Sequence, residues 1–214
     1  MVAAAFALSA YSLNYLPDTI ITHWGISGEA NGFMDKATAL AIIPTLMIVF
    51  AIVLYFIPNI DPLKKNIESF RKEYDLFIAV FCGFLLYLHI ITIALNFGVT
   101  LNIGQLLSPA FALLFFFIGV LLAKSKRNFF IGIRTPWTLS SDEIWNKTHK
   151  LGAKLFKASG IICLLGVIYP EGAIIFVLVP VIASAVWTMT YSYKEFSYEL
   201  KRKAKQNKKQ SRTT

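Results

Sequence analysis

The sequence predicts an all-α, polytopic membrane protein with six transmembrane helices and cytoplasmic N- and C-termini. Three observations carry that prediction. First, 56% of the 214 residues are hydrophobic and only 15% are charged, against roughly 25% charged in soluble domains. Such a composition excludes a disordered chain, and a water-soluble enzyme of this size could not bury so much apolar surface. Second, six apolar runs, at 1–16, 37–57, 76–97, 105–123, 155–169 and 173–193, meet or approach the length needed to cross a bilayer, which is about 20 residues. Third, of the 21 lysines and arginines only Lys36 falls in the first, third or fifth connection. The rest collect on the side that the positive-inside rule makes cytoplasmic.

The runs divide the chain into four parts. Residues 1–58 form a helical hairpin with a structured extracellular loop at 17–36. The first run starts at Met1 without a basic stretch ahead of it, which argues against a cleaved secretory signal. It either extends through Pro17 toward Ile21 or continues residues that precede this sequence. Residues 59–123 hold the third and fourth spans. Residues 124–193 hold a loop, an amphipathic helix and the last two spans, and 194–214 form a basic cytoplasmic tail opposed only by Glu195 and Glu199. That tail reads as a topology determinant resting on anionic lipid headgroups, at about 1 kcal/mol per basic residue. The bilayer is therefore the expected partner, and no direct nucleic-acid contact is expected. The basic inner surface would also suit an acidic cytoplasmic regulator. Cys82 and Cys163 lie in apolar runs, with no zinc-type spacing, and read as small buried hydrophobes. No metal or cofactor is expected.

The outer loop contains Pro17, His23, Trp24, Gly25, Gly28, Glu29, Gly32, Asp35 and Lys36. Its glycines and proline predict a tightly turned segment. His23, Glu29 and Asp35 match no recognised ligand spacing, and Trp24 reads as an interfacial anchor. The loop is acidic and outward, which favours a cationic extracellular ligand.

The strongest local signal follows the fourth run: Asn128, Gly132, Arg134, Thr135, Pro136, Trp137, Ser140, Trp145 and His149. Ser140 and Glu143 have capping-box spacing, so a helix is expected to start near Ser141. At 100° per residue, Lys147, Lys150, Lys154 and Lys157 fall on one arc, and Trp145, Thr148, Gly152, Leu155 and Phe156 on the other, with His149 beside them. This segment is expected to lie in the cytoplasmic interface before entering the membrane. Arg134 is expected to clamp a phosphate or a helix end, or to pin the loop to its own carbonyls. Within the membrane, His89, Thr92 and Asn96 share one face of the third span, and Ser184, Thr188, Tyr191 and Glu195 share one face of the sixth. Such stripes either line a cavity or bond neighbouring helices. No Asp, Glu, Lys or Arg sits at mid-membrane depth, which counts against an ion-driven transporter or a carboxylate-pair protease.

Two of these segments together resemble the SdpI immunity-protein family. The segment from Asn128 to Trp145, with Thr148, His149 and Gly152, resembles its signature. Leu16, Pro17, His23, Trp24, Gly28, Gly32, Lys36 and Pro44 are similar to a domain of unknown function that often precedes it. The resemblance implies a prokaryotic plasma-membrane protein, not an enzyme, that protects its cell against a secreted, membrane-active peptide toxin and signals its presence. Two other readings stay open on the residues alone. One is a small-molecule transporter or channel lined by the His89 and Tyr191 stripes. The other is a lipid-modifying or hydrolytic enzyme using His149 and Arg134.

Overall fold

The computed structural model describes residues 1–25 and 28–210, without the side chain of Lys209. Two residues of the expected outer loop, 26–27, and the last four of the tail lie outside the described residues. The elements are α1 (Val2–Leu13), a β-hairpin of β1 (Thr19–Trp24) and β2 (Ala30–Asp35), α2 (Lys36–Ile60), α3 (Lys64–Glu68), α4 (Arg71–Asn96), α5 (Ile103–Lys124), α6 (Pro136–Ser140), α7 (Asp142–Cys163), α8 (Leu165–Ile168), a 3-10 turn (Pro170–Gly172) and α9 (Ala173–Gln210). Among the described residues, five helical segments are long and apolar enough to cross a membrane. The sixth, α1, has 12 residues and spans about 18 Å at 1.5 Å per residue, short of the roughly 30 Å hydrocarbon core. The chain is thus a polytopic, predominantly α-helical membrane protein with one small antiparallel β element. That element is the tightly turned outer loop.

Asp35 starts α2 by accepting the Thr38 amide at 2.9 Å. Helix α2 then carries two internal prolines, Pro44 and Pro58. Each removes the amide that would serve the carbonyl four residues earlier, Leu40 or Leu54. Both carbonyls are served from another helix: Ser9 Oγ donates to Leu40 at 2.8 Å, and Tyr74 Oη donates to Leu54 at 2.6 Å. In lipid no water can replace these partners. The two bonds therefore join α1 and α4 to α2 at its only broken turns.

Helix α7 packs between α5 and α9, and glycine permits the approach to α5. A Cβ at Gly119 would lie 2.7 Å from the Ala153 carbonyl oxygen, and one at Gly160 2.6 Å from that of Ala112. Small residues at such crossings let helix backbones meet where no hydrophobic effect drives association.

The structure corrects one expectation. The segment from Asp142 onward does not lie along the membrane surface before turning inward. It is one continuous helix, α7, whose face of Ile144, Trp145, Thr148, His149, Gly152 and Ala153 is buried. The apolar arc was read correctly, but it packs on protein. Helix α9 runs unbroken for 38 residues, so the last span continues as helix into the basic stretch as far as residue 210. At 1.5 Å per residue that is about 57 Å, nearly twice the hydrocarbon core.

Candidate functional site: an outer hairpin and an inner hydrogen-bonded knot

The helices place the two motif regions at opposite ends of the bundle. At the outer end, β1 and β2 pair with Thr19 opposite Asp35, Ile21 opposite Phe33 and His23 opposite Gly32. The register slips between Ile21 and His23, a local bulge that re-aims the histidine. Gly32 is required there, since a Cβ would sit 2.7 Å from that of His23. Gly28 makes the turn at φ +87°, a region that glycine enters without a steric penalty.

The hairpin is held to the bundle by three contacts. Ile20 is buried among Leu16, Ala39, Leu40 and Ile93. Asn96, at the end of α4, accepts the Ile21 amide at 2.8 Å and donates to the Ile21 carbonyl at 2.9 Å. Lys36 Nζ donates to the Leu16 carbonyl at 3.1 Å and lies 3.2 Å from Asp18. His23 bonds Asn31 across the strands through Nδ1. Pro17, His23, Glu29 and Asp35 are exposed, and Trp24 is half-buried. Asp35 titrates below its ordinary value near 3.8, because the Thr38 amide and hydroxyl both bond its carboxylate. Among the described residues, no three His, Cys, Asp or Glu gather as a metal site.

At the inner end the residues from Asn128 to His149 form a closed hydrogen-bonded knot. Asn128 is fully buried. Its Nδ2 donates to the Lys126 and Ile131 carbonyls and its Oδ1 accepts the Phe130 and Ile131 amides, all within 3.0 Å. Gly132 follows at φ +122°. A Cβ on Gly132 would run into His149 Nε2 and lie 3.2 Å from the Trp145 ring.

His149 Nε2 accepts the Ile133 amide at 2.9 Å, and Nδ1 lies 2.8 Å from the Trp145 carbonyl. An amide can only donate and a carbonyl can only accept. The ring is therefore the neutral tautomer with its proton on Nδ1, and both nitrogens are occupied. Trp145 stacks on it at 3.9 Å and donates Nε1–H to the Ser125 carbonyl at 3.1 Å.

Arg134 donates to the Phe129 carbonyl at 2.6 Å, the outcome in which it pins its own loop. Thr135 caps α6 in a reciprocal box with Thr138 and meets Ser192 of α9 at 3.1 Å. Pro136 opens that helix, and Trp137 packs on Tyr193 of α9. The expected capping box at Ser140 and Glu143 does not form, although the helix starts where expected. Ser140 instead bonds the Trp137 carbonyl at 2.8 Å, and Ser141 caps α7 through the Ile144 amide. Glu143 faces Lys147 at 3.0 Å and Arg202 at 2.9 Å, and Lys147 also meets Glu195 at 2.8 Å.

Several partners in this knot carried no sequence signal. Asp61, only 2% exposed, accepts the Leu63 amide and the Phe129 amide, 68 residues away, at 2.8 Å. Asn66 donates to the Arg127 carbonyl at 2.7 Å, and Arg127 bonds Asp142 at 2.7 Å and the Leu139 carbonyl at 2.9 Å. A lone acid or amide in a polar loop looks like any solvated residue until the chain brings its partner alongside.

The intramembrane stripes divide between bonds to other elements and bonds within their own helix. Ser9 Oγ lies 2.9 Å from His89 Nε2. Thr92 bonds the Leu88 carbonyl of its own helix, and Asn96 holds the hairpin. Ser184 meets Ser159 of α7 at 3.0 Å, Thr188 bonds the Ser184 and Ala185 carbonyls, and Tyr191 lies beside Glu195. Cys82 and Cys163 are buried free thiols.

Fold and ends together define a multi-pass protein of the cell membrane, with a hairpin-bearing face and a knotted face. Residues 124–192 match the SdpI/YfhL protein family, and residues 1–48 match the Domain of unknown function DUF1648. The chain is also similar to the Immunity protein SdpI of Bacillus subtilis (strain 168), 25% identical over 197 residues, covering 90% of this chain and 91% of that protein. The resemblance read from the two motifs is therefore shown, and the first two matches cover the hairpin and the knot separately. No solved structure matches the chain.

Proposed function

We propose that the protein is an immunity and signalling protein that protects its cell against a secreted, membrane-active peptide toxin. Likeness to an immunity protein along nearly its whole length carries this reading. In this account the outer hairpin, with His23, Trp24, Glu29 and Asp35, meets the peptide at the outer surface. The Arg134–His149 knot holds α5, α7 and α9 in the protective arrangement, and the basic inner end offers a docking place for an acidic regulator.

Two features of the geometry support a binding role over a catalytic one. His149 has both nitrogens engaged by backbone groups, so it holds no lone pair ready to take a proton from a substrate. Arg134 ties one guanidinium N–H to the Phe129 carbonyl, which anchors it to its own loop. The test is survival: the chain is expressed in a sensitive bacterium, insertion is verified, and secreted bacterial membrane-permeabilising peptides are added. Protection that His23→Ala or Arg134→Ala abolishes supports the reading. Absence of protection at good expression overturns it.

A further inference from the structure

Beneath the hairpin, between α5 and α9, lies a cavity of about 340 Å³, within the size range of small-ligand sites. Phe111, Phe115 and Val177 line its apolar depth, and His23, Trp24 and Asn102 its mouth. Two wall residues of α9, Ile174 and Leu178, are 40% and 48% exposed. That face of a membrane-spanning helix meets lipid, so the cavity opens sideways toward the outer leaflet as well as upward.

Its rim is acidic. Gly25 lines the mouth with the Glu29 carboxylate directly against it, and Glu171 follows Pro170, another lining residue. An apolar pocket with carboxylates at its edge and a lateral opening to lipid matches one kind of molecule: a cationic amphiphile lying in the outer interface, which inserts an apolar side chain while its charge meets the rim.

We propose that this cavity is the binding site for the apolar face of a cationic, membrane-active peptide, capped by the hairpin through His23 and Trp24. The proposal rests on the immunity reading and places the peptide at a particular site.

Photo-cross-linking tests it on the full chain in phosphatidylcholine nanodiscs. A benzophenone side chain is placed at Ile174 in the wall or, as a control, at Val186, a lipid-facing position further along α9. The probes are an amphipathic lysine–leucine peptide and a lysine–serine peptide of the same length and charge. The proposal expects cross-linking of the lysine–leucine peptide at 174 well above that at 186, and none of the lysine–serine peptide at either position. Filling the cavity with Val177→Phe, or with Leu107→Phe at another lining position, either of which suffices if one fails to insert, should weaken that cross-linking at least about tenfold, or ~1.4 kcal/mol.

Equal cross-linking at 174 and 186, or no loss on filling, overturns the site. So does phosphatidylcholine cross-linked at 174 and not displaced by peptide, which makes the cavity a lipid site. Protection in the survival assay without cross-linking at 174 removes this site and leaves the immunity reading standing. Cross-linking without protection does the reverse.

Discussion

Gly132 and Thr138 show how closely the inner knot depends on single side chains. Gly132 combines a positive φ with a histidine nitrogen where its Cβ would go, whereas Gly98, at φ +91°, has nothing within 4 Å of such an atom. Gly98→Ala should therefore cost only the left-handed penalty of about 1–2 kcal/mol. Gly132→Ala should cost clearly more and lower the Tm in detergent further. Equal shifts would mean that the His149 contact is unimportant. Thr138 and Thr148 form a second pair. The Thr138 hydroxyl meets the Ile133 carbonyl at 2.8 Å and the Thr135 amide at 2.9 Å, while that of Thr148 is buried without a partner. Thr138→Val should destabilise by about 1–3 kcal/mol, and Thr148→Val should be neutral or stabilising. Matched melting curves check both.

At the scale of elements, the broken turns of α2 make a direct claim. If Tyr74 is valuable because Pro58 leaves the Leu54 carbonyl without an amide, Tyr74→Phe should cost around 1 kcal/mol in the native chain and much less in Pro58→Ala. Additive losses in that double-mutant cycle would contradict the explanation.

The hairpin makes two further claims. Asn96→Leu should raise hydrogen exchange at Ile21 and loosen the outer face. Unchanged exchange at Ile21 in that variant would remove Asn96 from its role in holding the hairpin. The Asp35 cap is also pH-dependent. Its folded pKa lies below the ordinary value near 3.8, so its contribution to the start of α2 is complete above that value and lost as pH falls through the lower folded one. Exchange at the Thr38 amide should accelerate only at such acid pH. Acceleration near neutrality would assign it to another group.

Across the whole molecule, five of the six apolar runs fell on long helices because lipid demands a fixed apolar length and charge marks the ends. The partner of the buried arc on α7 was not legible. The same pattern of Trp145, Thr148 and Gly152 suits a membrane surface or a protein groove, and only the glycines of α5 and α7 brought side by side decide between them. The reach of α9 was missed for a related reason. The basic stretch from 194 reads as a topology determinant resting on anionic headgroups, whereas in the structure Glu195 and Arg202 also pair with the start of α7 and extend the helix past the membrane. Those ion pairs are exposed and screened by salt, so high ionic strength should increase proteolysis beyond residue 194 while leaving the spans protected. Salt-independent cleavage would remove the ion pairs from that role. The cavity under the hairpin gave no sequence signal either, since its walls come from three segments far apart in the chain.

The most direct test of the account is membrane potential, followed with a voltage-sensitive dye in sensitive cells as a secreted bacterial membrane-active peptide is added. Cells making the intact chain should hold their potential at peptide concentrations that collapse it in cells lacking the chain. Collapse at the same concentration in both, with the protein verified in the membrane, would contradict the proposed function.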